Sequence, residues 1–123
     1  MTNSILIVDD NEDLRKVLAW LLQPRGYETL QAATGREAIE KAIVEQPSLI
    51  LLDLHLPDMD GMDAARAIKK DQRTALIPIV GWSAYLGERW REEALRAGMV
   101  AYMEKPLSAP VIEATIKQFI LPN

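Results

Sequence analysis

The 123 residues suffice for one domain with a real core and are few for two. Apolar residues make up 49% and charged residues 26%, which excludes a disordered or fibrous chain, and with no cysteine there is neither a disulfide framework nor a thiolate zinc site. A formal net charge of -4 makes the average surface repel phosphate backbones, so direct nucleic-acid binding is disfavoured.

The opening "MTNSILIVDD" lacks a basic n-region and a long apolar stretch, and no later run is long enough to span a bilayer. A cytoplasmic protein, neither secreted nor membrane-embedded, is expected. "SILIV", Ser4 to Val8, is an aliphatic run that stops at Asp9 and Asp10, as a strand buried on both faces does. Leu14, Val17, Leu18, Leu21 and Leu22 then recur at helical spacing until Pro24 and Gly26, which predicts a helix over Asp13 to Gln23. "YETLQA", Tyr27 to Ala32, alternates like an edge strand, and "TGRE", Thr34 to Glu37, is a capping-box pattern opening a second helix that closes before Pro47.

Leu49 to Leu52 begins a second cycle: strand, loop, a helix near Met62 to Lys70, and the strand "IPIVGWS". Lys69, Lys70 and Arg73 read as a solvated cluster near that helix's end. Gly87 to Ala97 is a fourth helix stopped by Gly98. Val100 to Glu104 is a fifth strand, and Ala109 to Ile120 is a last helix behind Ser108, with Ile112, Ile116 and Phe119 as its buried stripe.

Five strands alternating with five helices predict a single α/β domain over 1–123: a doubly wound, flavodoxin-like parallel sheet with helices on both faces. The strand order 2-1-3-4-5 suits an edge-like second strand. Ligands in such sheets bind beyond the carboxyl ends of the strands, where Asp9, Asp10, Asp53, Ser83 and Lys105 would gather. Three carboxylates drawn together call for a cation, and all-oxygen ligation in a shallow site suits Mg²⁺. A carboxylate flanked by a metal and an ammonium can accept a phosphoryl group, with Asp53 as nucleophile and the Ser83 hydroxyl as a donor to the transferred group.

"ILIVDDNEDLR", "LILLDLHLPDMDG", "PIVGWSA" and "AYMEKP" together resemble the receiver domain of two-component response regulators, over the whole chain. The resemblance implies that Asp53 is phosphorylated, with Ser83 and Lys105 assisting. It implies that Asp10 ligates Mg²⁺ directly, Asp9 largely through water, and that Asp53 and the backbone carbonyl of His55 complete the protein ligands. Ser83 and Tyr102 would be switch residues, and Lys105 would pair with Asp53 before transfer and with the phosphoryl group after it. Pro106 follows Lys105 at a peptide bond that is typically cis in that family. The implied partners are a histidine kinase or histidine phosphotransfer protein, and a downstream protein target at the face of helix 4, strand 5 and helix 5, without nucleic acid or membrane.

Plainer readings exist residue by residue. Asp9 and Asp10 could cap the first helix, Asp53 could start a turn before Pro57 and Gly61, and Tyr102 could be a half-buried strand aromatic. His55, the only histidine, is expected to face solvent, although His55 and Tyr85 could shield a phosphoryl group from water. Trp82 should pack under a helix on the face opposite Ser83, with Gly81 leaving space for its ring, and Trp90 should be partly packed. The rival functions are a degenerate receiver used as a fixed docking module and a haloacid-dehalogenase-like phosphatase. The phosphatase needs a second Asp where His55 stands. A nucleotide-binding flavodoxin-like module is disfavoured because "DDNED" repels phosphate.

Overall fold

In a computed structural model, which describes residues 3–84, 87–105 and 108–122, the chain alternates strand and helix throughout. The elements are β1 (Ser4–Val8), α1 (Glu12–Leu22), β2 (Glu28–Ala32), α2 (Gly35–Glu45), β3 (Leu49–Asp53), α3 (Gly61–Lys70), β4 (Ile79–Ser83), α4 (Glu88–Arg96), β5 (Ala101–Glu104) and α5 (Ala109–Lys117). All five strands pair in parallel in the order β2-β1-β3-β4-β5. β2 lies at the edge, as its polar alternation predicts. Tyr85 and Pro106 lie outside the described residues. Among those described, no helix is long and apolar enough to cross a membrane.

Successive strand residues point to opposite faces, so one sheet feeds two cores. Ile5, Ile7, Leu49, Leu51, Val80, Trp82 and Met103 meet Leu18, Leu22, Ile112 and Ile116 of α1 and α5. Leu6, Val8, Ile50, Leu52, Ile79 and Tyr102 meet Ala38, Ala42, Ala65, Ile68 and Ala94 of α2, α3 and α4. Leu49, Ile50, Leu51 and Leu52 are all fully buried, which explains a run of four aliphatics where a one-faced strand would alternate. Each such side chain contributes about 1.5–3 kcal/mol of transfer free energy, and together they anchor the strand ending on Asp53.

Local chemistry sets the boundaries. Asn11, not Asp9 or Asp10, caps α1, its side chain accepting from Leu14 N–H at 3.1 Å, and both aspartates are thereby free of the capping task. Thr34 caps α2 by accepting from Glu37 N–H, but Glu37 returns its carboxylate to Ala33 N–H, one residue earlier than in the usual capping box. α5 ends at Lys117, short of the predicted Ile120. Its last turn tightens through Phe119 N–H to Ile116 O, and Phe119 is only partly buried.

Two packing expectations are corrected. Gly81 does not make room for Trp82, because neighbours in a strand face opposite ways: a Cβ on Gly81 would lie 2.5 Å from Met99 Sδ. Lys69 is not a solvated member of a basic cluster. Its ammonium donates to the carbonyls of Ala75 (3.1 Å) and Ile77 (2.5 Å), and burial lowers its pKa, whereas Arg73 pairs with Asp71 at the surface.

Candidate functional site

The charged groups arrive at one sheet edge by strand alternation. Asp9 continues the Ile5–Ile7 side of β1, Asp53 the Leu49–Leu51 side of β3, and Lys105 the Met103 side of β5. Lys105 Nζ lies 3.0 Å from Asp9 Oδ2 and 3.3 Å from Asp53 Oδ2. Main-chain donors hold the other oxygens: Asn11 N–H reaches Asp9 Oδ1 at 2.8 Å and His55 N–H reaches Asp53 Oδ1 at 3.1 Å. Asp9 and Asp53 are buried while Asp10 is exposed, yet carboxylate oxygens of all three lie within 4.8 Å of one another.

One lysine does not balance this cluster. Burial pushes the Asp53 carboxyl up to about 6 and the Asp9 carboxylate pushes it the same way, against the lowering effects of the His55 N–H and the Lys105 ammonium. Burial thus outweighs an ammonium 3.3 Å away, and the carboxyl stays raised. The cluster is made of oxygen ligands alone, a donor set suited to a hard divalent ion such as Mg²⁺.

A second, neutral group sits on the other side of the same edge. Ser83 is 2% and Tyr102 3% exposed, and their hydroxyls share a hydrogen bond. Burial raises the Tyr102 pKa and the Ser83 contact opposes the rise. Tyr102 is therefore fully buried instead of a half-buried strand aromatic.

The loop after β3 is pinned at both ends. Gly61 N–H returns to Leu54 O at 2.9 Å, and His55 and Asp60 form an antiparallel bridge. A Cβ on Gly61 would lie 2.5 Å from Asp53 O and 2.6 Å from Leu54 Cα, so only glycine lets the loop close against the strand end. Across the loop, the Asp58 carboxylate accepts from Arg36 N–H (3.0 Å) and Gly35 N–H (2.8 Å) at the start of α2, and these donors hold it below the usual carboxylate range. His55 itself is exposed.

Sequence reasoning brought Asp9, Asp10, Asp53 and Lys105 to one place and Ser83 with Tyr102 beside it. It missed Asn11, Arg15, whose Nη1 donates to the Asp9 carbonyl at 2.6 Å, and Asp58. Asn11 had a local signal, an Asx residue three before Leu14; Arg15 reaches back six residues to a main-chain carbonyl and Asp58 reaches across to α2, and neither contact follows a helical or strand period.

A family model described as response regulator receiver domain matches residues 5–117. The polar-differentiation response regulator DivK of Brucella ovis is 35% identical over 120 residues, which cover 98% of each chain. The chemotaxis protein CheY4 of Vibrio cholerae superposes with a TM-score of 0.91 at 26% identity, covering 98% of this chain and all of that one. The receiver domain of a sensor histidine kinase from Pseudomonas aeruginosa, solved with a magnesium ion coordinated in its active-site cleft, gives a TM-score of 0.88 at 29% identity, covering 97% of this chain and 98% of that one.

Proposed function

The chain belongs to the response regulator receiver domain family, whose members are signalling switches that typically bind Mg²⁺ in an acidic pocket, and on that premise we propose that it is a switch phosphorylated on Asp53. The donor is a phosphohistidine on a histidine kinase or phosphotransfer protein. One Asp53 carboxylate oxygen forms the new P–O bond as the P–N bond to the donor imidazole breaks, and the bonding pair leaves with the imidazole nitrogen. The observation that supports this reading best is the Asp53 carboxylate itself, buried at a strand end, 3.3 Å from Lys105 Nζ and clustered with Asp9 and Asp10.

Asp10, Asp53 and the His55 carbonyl would hold Mg²⁺, with Asp9 acting through water. Bound there, the ion would neutralise charge on the phosphoryl oxygens. Lys105 exchanges its Asp53 contact for a phosphoryl oxygen. Ser83 turns its hydroxyl toward the new group, and Tyr102, hydrogen-bonded to Ser83, carries that change to β5. Because Tyr102 is already buried, phosphorylation raises the population of an arrangement the unmodified chain can adopt. The downstream protein reads the α4, β5 and α5 face, where Arg91, Tyr102, Glu104 and Val111 line a concavity of about 490 Å³. Neither nucleic acid nor membrane is required.

The test is intact mass after incubation with a small acyl phosphate and Mg²⁺. The wild type is expected to gain one phosphoryl group and Asp53→Asn none. No gain in either would support a fixed docking module, and continuous turnover of the phosphodonor would support a phosphatase.

A further inference from the structure

Lys105 has a neighbour for which the acidic cluster gives no reason. Trp82 pairs across β4 with Asp53 of β3 and with Met103 of β5, so its indole emerges on the α1/α5 side, beside the strand that leads to Lys105. The ring is 1% exposed, within the core that also holds Leu18 and Ile112, and its Nε1–H donates to the Val8 carbonyl at 3.5 Å. Lys105 Nζ stands 4.5 Å from the ring centroid, well inside the range of a cation–π contact. The ammonium thus has three walls: Asp9 at 3.0 Å, Asp53 at 3.3 Å and an indole face.

We infer that Trp82 is a positioning residue for Lys105, holding the ammonium at the place where it meets the phosphoryl group; the inference rests on the phospho-acceptor reading of Asp53. The three walls differ in what happens to them during transfer. The Asp53 contact is surrendered when that carboxylate is esterified, and the Asp9 contact weakens when a metal competes for its charge. Attraction to the ring face needs no acceptor atom and survives both changes. The ring cannot follow the ammonium or leave it, because the core encloses it and Val8 engages its N–H. Lys105 can therefore exchange hydrogen-bond partners without losing its position, and an aliphatic residue at 82 would supply the volume without this hold.

The plainer alternative, that Trp82 only fills the core, makes different predictions. Trp82→Met and Trp82→Phe are made in the wild type and in Lys105→Gln, and phosphorylation by an acyl phosphate with Mg²⁺ is followed by intact mass. Trp82→Met is expected to slow phosphorylation roughly fivefold to thirtyfold, the range a cation–π contact sets, while Trp82→Phe keeps most of the rate. In Lys105→Gln the Met exchange should cost nothing further. Equal losses in Met and Phe, or an undiminished loss in Lys105→Gln, would overturn the inference. A second measurement does not depend on transfer: in Trp20→Phe/Trp90→Phe protein, where Trp82 is the sole indole, Lys105→Gln should shift the emission, and an unmoved spectrum would also overturn it. This arm decides if Trp82→Met does not fold. If wild type takes up no phosphoryl group, the reading of Asp53 fails, while the emission shift still reports whether the ammonium sits on the ring.

Discussion

The two sides of the sheet's carboxyl edge satisfy their polar groups in opposite ways. On the α1/α5 side, buried Asp9 and Asp53 share one ammonium with exposed Asp10 close by, and the Asp53 carboxyl is pushed up to about 6. On the α4 side, Ser83 and Tyr102 are buried but neutral, and a hydrogen bond joins them. A neutral pair carries no net charge to compensate, whereas clustered like charges leave a demand that a proton or a further cation meets. The first arrangement suits a site that accepts charge, and the second suits one that senses it.

Three substitutions test this contrast, from the largest expected effect to the smallest. Lys105→Met removes the sole ammonium contacting Asp9 and Asp53 among the described residues and should destabilise the protein by about 2–4 kcal/mol without divalent cation, somewhat less than a fully buried pair because the lysine is partly exposed. Urea unfolding with and without Mg²⁺ measures this, and the cation should recover part of the loss. A variant as stable as wild type would show that the ionic side is not short of positive charge.

Asp53→Asn should act in the opposite direction. With the Asp53 carboxyl at about 6 when folded, against an ordinary 3.8, the native chain binds more protons than the unfolded chain between those values. Its contribution to stability is fully present below about pH 3.8 and is lost as the pH rises through about 6. The amide removes that loss and should stabilise the protein by about 1–3 kcal/mol at pH 7, with little gain at pH 4. Parallel unfolding curves at the two pH values check the sign, and a gain that does not grow with pH would count against strain at Asp53.

Ser83→Ala is the mildest. It deletes the Tyr102 hydrogen bond on the neutral side and should cost about 1 kcal/mol, with no dependence on Mg²⁺. A Mg²⁺-dependent effect in the unphosphorylated protein would mean that the two sides are not separate.

Much of the fold was legible because the helical and strand signals are local. Leu14, Leu18 and Leu22 mark α1 by spacing, Thr34 and Ser108 mark helix starts by their side-chain oxygens, and the continuous aliphatics of β1 and β3 announce strands covered on both faces. The site was legible in outline for a related reason: strand ends are readable, and in a parallel sheet the carboxyl ends share one edge. The misreadings lie where a side chain's neighbours are set by how the chain folds back and not by a helical or strand period. Gly81 was assigned to its neighbour Trp82, but the sulfur occupying its space comes from Met99. Lys69 looked like a surface charge until the carbonyls of Ala75 and Ile77 folded over it.

The amino-acid order alone therefore determined the alternation of elements, the edge position of β2 and the identity of the acidic, hydroxyl and lysine groups at the strand ends, since each depends on residues within one or two turns. Only the tertiary structure decided which of those groups touch. That Lys105 lies closer to Asp9 than to Asp53, that Ser83 faces Tyr102, and that an indole lies against the ammonium are consequences of register between strands as many as 96 residues apart. Register is set by packing the two cores at once, and no local pattern encodes it.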